Sequence, residues 1–261
     1  MNMTKPQFDQ YNPNKDLLKN KVILVTGAGD GIGKAVAIAY AAHGATVILL
    51  GRTISKLEQV YDTIEAAGYN KPAIYPLDLA GATPHDYDQL AGILDQEFGR
   101  LDGLLHNAGI LGNLTPIELY PYETWQRVMQ VNVNGPFLLT QAVLPLLQKA
   151  DKASLVFTSS SVGRKGRAYW SGYAVSKFAI EGMMQVLAEE CENTSNIRVN
   201  SINPGATRTA MRTSAYPAEK PDTLRHPEEI VAAYLYLMGS DSLNDNGQAF
   251  NAQTQTETKR Q

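Results

Sequence analysis

Short apolar runs alternate with longer amphipathic stretches along this chain, from about residue 20 onward. Most of the runs are rich in valine, isoleucine and leucine, which is typical of strands that are buried on both faces. Strands of this kind, each followed by a helix, pack as a parallel sheet with helices covering both sides. The alternation therefore predicts a single doubly wound α/β domain with a mainly parallel sheet and helices on both faces.

The pattern predicts six strands and six helices. The strands are expected at 21–25, 46–50, 73–77, 101–106, 154–159 and 197–202. The helices are expected near 32–42, 55–67, 86–98, 122–148, 174–191 and 227–238. The segment 209–226 contains prolines and shows little periodicity, so we predict that it forms a loop or lid over the substrate.

The composition limits both the organisation and the partners of the chain. With 261 residues, 44% hydrophobic and 19% charged, it fits one domain over 21–252, between a polar N-terminal arm (1–20) and a polar C-terminal tail (253–261). A formal net charge of -3 provides no positive field for nucleic acid or an anionic membrane. No apolar stretch resembles a signal peptide or a membrane span. We therefore expect no nucleic-acid partner and no membrane association.

Cysteine and histidine usage indicates the chemical setting. The only cysteine, Cys191, cannot form a disulfide within the chain, and no CxxC or HExxH spacing offers metal ligands. No histidine lies close to Cys191 in the sequence, so we interpret it as a packing residue rather than a nucleophile. These features predict a reducing, cytoplasmic setting and no bound metal.

A glycine-rich turn follows the first predicted strand directly. It reads TGAGDGIG (26–33) and leads into an alanine-rich helix. Glycines at such a junction permit positive φ angles and let backbone N–H groups approach a pyrophosphate, while the helix N-terminus adds partial positive charge. A glycine turn alone is also consistent with an ordinary tight turn. The strand before it and the helix after it favour a dinucleotide-binding site.

The end of the second predicted strand indicates which dinucleotide is bound. An NAD-selective site usually has an acidic residue here to bind the ribose 2′-hydroxyl, whereas this chain has Gly51 followed by Arg52. A guanidinium can pair with a 2′-phosphate through two parallel hydrogen bonds. The sequence therefore favours NADP(H) over NAD(H), with a merely solvated arginine as the alternative interpretation of Arg52.

Tyr173 and Lys177 are four residues apart, which places both side chains on one face of a predicted helix. That helix follows a strand that ends in a run of serines, 159–161. Two other tyrosine–lysine pairs share this spacing, but each encloses a proline, which argues against a helix: Tyr11 with Lys15 and Tyr216 with Lys220. Only the pair at 173 and 177 has the setting of a catalytic site.

These residue types suit the reduction of a carbonyl group by hydride. The carbonyl oxygen needs a proton donor, and a free tyrosine with a pKa of about 10 is a weak one. The ammonium group of Lys177, helped by the positive charge of an oxidised nicotinamide, should lower the pKa of Tyr173. A serine hydroxyl from the preceding strand end can orient and polarise the substrate oxygen.

With these motifs the chain resembles the short-chain dehydrogenase/reductase family and, within it, the YciK-type oxidoreductases of bacteria. The resemblance covers nearly the whole chain and rests on motifs in the family's order: TGxxxGIG (26–33), NAG (107–109), Asn132, the serine run, YxxxK (173–177), and NPG with Thr209 (203–209). It implies a Rossmann-type fold, reversible oxidation and reduction of an alcohol or carbonyl substrate with NADP(H) or NAD(H), and a homodimer or homotetramer.

The resemblance also implies roles residue by residue. Tyr173 would be the general acid and base, Lys177 would hold ribose hydroxyls and tune the tyrosine, and Asn132 would anchor a proton-relay water. Ser160 would orient the substrate, although its two serine neighbours leave the register open. The cofactor-binding set, which includes Arg52 from the argument above, would consist of Tyr173, Lys177, Gly27, Asp30, Gly31, Ile32, Gly33, Arg52, Asp78, Leu79, Asn107, Ala108, Gly109, Pro204, Gly205, Thr207 and Thr209.

Two departures from the family's pattern stand out. His106 occupies a position where the family often has asparagine, and the C-terminal strand, Phe250-Asn251-Ala252-Gln253, lacks the frequent Asp-Gly-Gly ending. The histidine would either titrate in catalysis or, as is commoner at a strand end, bond to a neighbouring backbone group. The altered strand ending would affect subunit contacts rather than the chemistry.

The loop between the serines and Tyr173 allows two interpretations. Its basic residues would either attract an anionic substrate or form a solvated or interface patch: Arg164, Lys165 and Arg167. Its aromatic residues, Tyr169 and Trp170, would either wall an apolar substrate pocket or pack against a partner subunit.

The leading hypothesis is an enzyme that transfers hydride between NADP(H) and a carbonyl or alcohol substrate. The alternative is a regulatory or sensor protein that binds NADP(H) with little turnover. The identity of the substrate depends on side chains of the segment 209–226, whose positions the sequence does not determine.

Overall fold

The computed structural model describes residues 8–254, which build a seven-stranded sheet with helices on both sides. The strands are β1 (Val22–Thr26), β2 (Thr46–Gly51), β3 (Ala73–Pro76), β4 (Gly103–His106), β5 (Ala153–Thr158), β6 (Ile197–Asn203) and β7 (Ala249–Asn251). Their order in the sheet is β3-β2-β1-β4-β5-β6-β7, and every neighbouring pair is parallel. The predicted doubly wound α/β fold is confirmed.

Eight helices cover the sheet in the described part of the chain. They are α1 (Gly31–Ala42), α2 (Ile54–Ala66), α3 (Pro84–Phe98), α4 (Tyr122–Met129), α5 (Gly135–Gln148), α6 (Ser171–Glu192), α7 (Ala210–Ala215) and α8 (Val231–Met238). One hydrophobic core lies under α1, α2 and α8, and a second lies under α3, α5 and α6 on the opposite face. None of the helices within residues 8–254 is long and apolar enough to cross a membrane.

Two helical regions differ from the sequence prediction. The helix predicted over 122–148 contains a π turn, Gln130–Asn134, between α4 and α5. One extra residue per turn shifts the register without abolishing the apolar pattern, so the periodicity did not reveal it. The segment predicted as a loop at 209–226 contains α7, where the Thr209 hydroxyl accepts a hydrogen bond from Arg212 N at 3.2 Å. Six residues are too few to show a helical period.

The predicted N-terminal arm packs against the domain where the structure describes it. Phe8 is buried, and its ring lies 5.5 Å from that of Tyr236 and 6.3 Å from that of Phe250. Asp9 forms an ion pair with Arg225, and Leu18 is fully buried. Residues 1–7 of the arm and 255–261 of the predicted tail lie outside the described residues.

The C-terminal strand β7 was implied by the family resemblance but not by the pattern of apolar runs. It has three residues and pairs with β6 alone, at the edge of the sheet. Beyond it, the side-chain amide of Gln253 donates hydrogen bonds to Pro204 O at 2.8 Å and Ala206 O at 3.0 Å. Gln253, the first residue of the predicted tail, is therefore part of the folded domain.

His106 at the end of β4 is a core residue. Its ring stacks on Phe157 with 4.8 Å between centroids, and Nε2 lies 2.8 Å from the Thr140 hydroxyl. Burial, followed by the nearby charge of Lys177, lowers the pKa of His106 to about 3. The imidazole is therefore neutral at pH 7, and its partner is a side-chain hydroxyl rather than the expected backbone group.

Gly33 allows α1 to approach β1 very closely. A β-carbon at this position would lie 2.1 Å from Gly27 O and 2.6 Å from Asn107 Nδ2. Gly92, which also lies inside a helix, has no atom within 4 Å of the corresponding position. Both glycines lie inside helices, but close packing requires glycine only at position 33, so Gly92 can serve as the control.

Gly33→Ala should lower the free energy of unfolding by about 1–3 kcal/mol, because backbone atoms would have to move apart. Gly92→Ala should raise it by about 0.5–1 kcal/mol, because alanine loses less conformational entropy in a helix. Urea titration followed by circular dichroism measures both values. Losses of equal size in the two variants would contradict the steric argument.

Candidate active site

A cleft of about 620 Å³ opens at the carboxyl ends of the central strands, where the sheet order reverses between β1 and β4. Ligands bind in this crevice in doubly wound folds. Fourteen of the predicted residues line it: Gly27, Asp30, Gly31, Ile32, Arg52, Asp78, Leu79, Asn107, Ala108, Gly109, Tyr173, Lys177, Pro204 and Thr209. The structure thus brings together most of the predicted site, and we call this space the central cleft.

The glycine turn forms the floor of the central cleft. Gly27 and Gly31 have φ angles of 67° and 51°, in the left-handed region that favours glycine. Asp30 caps α1, since its carboxylate accepts a hydrogen bond from Gly31 N at 2.7 Å. The N-terminus of α1, with its partial positive charge, therefore lies at the cleft, and a pyrophosphate fits this floor. Gly33 lies behind the floor and acts through packing.

Thr26 joins the floor to the neighbouring wall. Its hydroxyl accepts hydrogen bonds from Asn107 N at 2.9 Å and Ala108 N at 3.0 Å. The NAG segment is thereby fixed beside the glycine turn. The predicted set did not include Thr26, although a threonine directly before the first glycine of the turn was visible in the motif.

Arg52 is exposed at one end of the central cleft, at the end of β2. Lys56 lines the same end and forms an ion pair with Asp30 at 2.5 Å. Sequence reasoning missed Lys56. The signal was its position in the first turn of α2, four residues after Arg52.

Asp78 and Leu79 line the opposite wall as predicted, together with Arg127 and Val131, which were not predicted. Asp78 Oδ1 accepts a hydrogen bond from Ala80 N at 3.1 Å, so its carboxylate shapes the loop after β3. Arg127 and Val131 come from α4 and the π turn, and no local sequence pattern connects them with the cleft.

Tyr173 and Lys177 lie together at the other end of the central cleft. Both are buried on α6, and the Lys177 Nζ atom is 5.6 Å from the centre of the Tyr173 ring. Lys177 Nζ also donates a hydrogen bond to Thr158 O at 2.8 Å. The predicted pairing on one helix face is therefore present, and the lysine is held by the end of β5.

Burial dominates the protonation of this pair. It raises the pKa of Tyr173 to about 12, against a hydrogen bond with Ser160 that lowers it. It lowers the pKa of Lys177 to about 8, against the negative charge of Glu181, which raises it. The expected lowering of the Tyr173 pKa by Lys177 together with an oxidised nicotinamide stays a prediction; in the protein alone, desolvation of the phenolate is the largest effect and raises the pKa.

The three serines after β5 occupy different positions. Ser160 lowers the pKa of Tyr173, and its hydroxyl accepts a hydrogen bond from Val162 N at 3.5 Å. Ser159 is buried and lines the central cleft, whereas Ser161 is exposed and begins a short 3-10 turn, Ser161–Gly163. The contact with Tyr173 supports Ser160 as the substrate-orienting serine.

Asn132 lies behind the cleft in the middle of the π turn. Its side-chain oxygen accepts a hydrogen bond from Ile110 N at 2.8 Å, and its amide donates to Ile110 O at 2.9 Å and to Ser176 Oγ at 3.0 Å. The side chain thus braces the loop after β4 against α6. Its predicted role as anchor of a relay water stays a prediction.

The loop after β6 supplies the last wall. Pro204 and Thr209 line the cleft, and the Thr209 methyl group would lie 3.3 Å from a β-carbon on Gly31. Gly205 and Thr207 belong to the same loop but do not line the cleft. Gly205 has a φ of 75°, and Thr207 accepts a hydrogen bond from the Gln253 amide at 3.2 Å, so both hold the loop in shape.

Apolar and aromatic groups surround Tyr173 on its outer side. Val162 and Ala174 are packed beside it, with Leu111, Trp170 and Met211 partly buried against them. The Trp170 ring lies 5.7 Å from that of Tyr173. Trp170 therefore packs against the catalytic tyrosine, whereas Tyr169 is exposed, and the choice between a substrate wall and a subunit contact stays a prediction.

The basic residues of the same loop separate into two roles. Arg164 is bound inside the protein by Glu181 and Asn251, so it cannot receive a substrate. Arg167 is exposed and donates a hydrogen bond to the Tyr216 hydroxyl at 2.6 Å. Arg167 therefore connects the loop to the segment 209–226.

Comparison with known proteins gives consistent matches. A family model described as short chain dehydrogenase matches residues 21–220. The chain is 55% identical to the oxidoreductase YciK of Escherichia coli K12 over 243 residues, 93% of this chain and 96% of that protein.

Two solved structures share this similarity. A short chain dehydrogenase from Shigella flexneri 2a, complexed with NADP, is 54% identical with a TM-score of 0.90 and coverage of 92% of this chain and 100% of that one. One from Escherichia coli CFT073, complexed with NADPH, is 55% identical with a TM-score of 0.90 and coverage of 93% and 100%. The family match spans the sheet from β1 to β6 and the helices that carry the central cleft. This chain therefore belongs to the short-chain dehydrogenase family of oxidoreductases.

Proposed function

We propose that this chain is an NADP(H)-dependent oxidoreductase that transfers a hydride reversibly between nicotinamide and a carbonyl or alcohol substrate. The observation that carries the proposal is that Tyr173 and Lys177 share one cleft with the N-terminus of α1 and with Arg52. The same cleft thus combines a site for phosphates with a buried proton donor. The NADP and NADPH bound by the relatives from Shigella flexneri and Escherichia coli support the choice of cofactor.

The groups of the central cleft fit a phosphorylated dinucleotide. The start of α1 offers backbone N–H groups to the pyrophosphate, and Gly27 and Gly31 leave room for it. Arg52, with Lys56 beside it, holds the 2′-phosphate in this proposal. Bound NADP(H) supplies the hydride donor or acceptor.

Tyr173 gives its proton to the carbonyl oxygen during reduction and takes it back during oxidation. Because burial raises its pKa to about 12, the phenol is protonated at pH 7, as reduction requires. Ser160 orients the substrate oxygen, Lys177 holds the ribose hydroxyls, and Asn132 anchors the relay water. These assignments rest on the family resemblance together with the contacts between Ser160, Tyr173 and Lys177.

The apolar surroundings of Tyr173 keep water away from the reacting atoms. Trp170 and Leu111 pack against the cluster around Tyr173, while Met211 and Ser214 come from α7 in the segment 209–226. In this proposal that segment is the lid that closes over the substrate. The cytoplasmic location and the absence of a nucleic-acid partner stay predictions from the sequence.

We also propose that the chain forms a homo-oligomer through α5 and α6, because both helices expose large apolar side chains, including Phe137 and Phe178. Sedimentation of the wild type should give the mass of a dimer or tetramer. Phe178→Glu should reduce that mass, whereas Ile93→Glu, at a side chain with matched exposure on α3 (46% against 45%), should leave it unchanged. A monomeric wild type would contradict this proposal.

Tyr173→Phe should lower kcat/KM for carbonyl reduction by at least about 100-fold, because it removes the proton donor without changing the ring. NADPH oxidation is followed at 340 nm with ketones, aldehydes, quinones and acyl thioesters. The Kd for NADPH serves as the control and should change little. Tight NADPH binding without Tyr173-dependent turnover on any of these compounds would instead favour a sensor protein.

Arg52→Ala should weaken NADPH binding by about 10- to 100-fold, because a hydrogen-bonded charge pair with the 2′-phosphate is lost. NADH has no such phosphate, so its Kd should remain nearly constant and provides the internal control. Fluorescence titration of the same variant with both cofactors measures the two values. Equal losses for NADPH and NADH would exclude the assigned role.

A further inference from the structure

A partly buried ion pair lies one helical turn beyond Lys177. Glu181 is on α6, four residues after the lysine, and 6% of its surface is exposed. Its Oε1 atom accepts a hydrogen bond from Arg164 Nε at 2.9 Å, and Oε2 accepts one from the Ser201 hydroxyl at 2.6 Å. The carboxylate is buried while the guanidinium is partly exposed, so desolvation offsets part of the attraction within this pair.

Arg164 links this carboxylate to the turn that follows Ser160. It comes directly after the 3-10 turn Ser161–Gly163. Its Nη1 atom donates to Asn251 Oδ1 at 2.9 Å and its Nη2 atom to Phe250 O at 2.8 Å. All three nitrogens of the guanidinium are therefore bound within the protein, and the arginine is fixed between α6 and β7.

The same turn rests on the backbone of Lys177. A β-carbon on Gly163 would lie 2.7 Å from Lys177 Cβ and 2.8 Å from the lysine carbonyl oxygen. The turn and the residue after it thus contact α6 at positions one helical turn apart: Gly163 contacts Lys177, and Arg164 contacts Glu181. Ser160 caps the start of this turn, where its hydroxyl accepts a hydrogen bond from Val162 N, so the two contacts help to determine where that hydroxyl lies relative to α6.

Glu181 is also the negative charge that faces Lys177. The other titratable groups around the lysine are Tyr173 on its own helix, His106 at the end of β4, and Arg164 behind Glu181. Tyr173 and His106 are both neutral at pH 7, because their pKa values are about 12 and about 3. Glu181 raises the pKa of Lys177, in opposition to burial.

We propose that Glu181 is a positioning residue of the active site: through Arg164 it fixes the turn that carries Ser160, and its carboxylate places a negative charge one helical turn from Lys177. This inference rests on the proposed function, in which Ser160, Tyr173 and Lys177 act together. Glu181 acts on the reaction only through those residues.

A first experiment measures Lys177 without turnover. Glu181→Gln keeps the size and the acceptor oxygen but removes the charge, so the pKa of Lys177 should fall by about half a unit or more. Arg164→Met removes the opposing cation, so the pKa should rise. NMR of lysine-labelled protein gives both values from the Lys177 Cε shift, assigned with Lys177→Met. Glu189→Gln, at an exposed acid on the same helix, should leave the shift unchanged.

A second experiment measures the effect on catalysis. In the reductive direction the alkaline limb of the kcat/KM profile should move to lower pH in Glu181→Gln and to higher pH in Arg164→Met. Both variants should lower kcat by about tenfold or more, because Ser160 is displaced, with little change in the Kd for NADPH. Circular dichroism verifies that both variants fold. If Arg164→Met does not fold, the kcat and the pH profile of Glu181→Gln are sufficient to test the role of Glu181.

The outcomes separate the two proposals. An unchanged Lys177 pKa in Glu181→Gln, or shifts in the same direction in Glu181→Gln and Arg164→Met, would overturn the role of Glu181. A wild type that reduces no carbonyl compound would overturn the proposed function instead, while the NMR measurement would still report on Glu181.

Discussion

The hydroxyl of Thr26 connects the two halves of the sheet at the point where the central cleft opens. It accepts hydrogen bonds from the backbone of Asn107 and Ala108 and donates one to Leu105 O at 3.3 Å. The β1–β4 ladder ends at Val25 and Leu105, and the chain then leaves the two strands towards opposite faces, so the Thr26 hydroxyl extends the connection beyond the ladder. With this link, the N-terminus of α1 and the NAG segment form rigid neighbouring walls against which the other groups are placed.

Burial is the second constraint, and it acts on Tyr173 and Lys177 in the same sense. It favours the uncharged form of both, raising the pKa of the tyrosine to about 12 and lowering that of the lysine to about 8. A neutral phenol suits a proton donor, but an uncharged amine would hold ribose hydroxyls and influence the phenol less strongly. The carboxylate of Glu181 opposes this loss of charge, and the Thr158 carbonyl oxygen holds the amine in place.

Arginines of this protein serve two different purposes. Arg164 and Arg212 each bind a glutamate and hold a turn in place, the second through two hydrogen bonds of 2.6 Å to Glu219 in the segment 209–226. Arg52 is exposed at the end of the central cleft. The sequence distinguishes these roles poorly. An arginine that binds a glutamate inside the protein and an arginine that is exposed to bind a ligand anion can have similar neighbours in the sequence.

The sequence by itself determined the fold class, the six main strands, the glycine turn at the phosphate end and the Tyr173–Lys177 pair. These features follow from periodicity and from residues close together in the chain. Only the tertiary structure decided that Ser160 is the serine that influences the pKa of Tyr173, that Lys56 lines the same cleft as Arg52, and that burial is the largest effect on the Tyr173 pKa. Only it brought Glu181 together with Arg164, Ser201 and Asn251. The reason is that desolvation and hydrogen bonding depend on neighbours from distant segments, and such contacts leave no period in the chain.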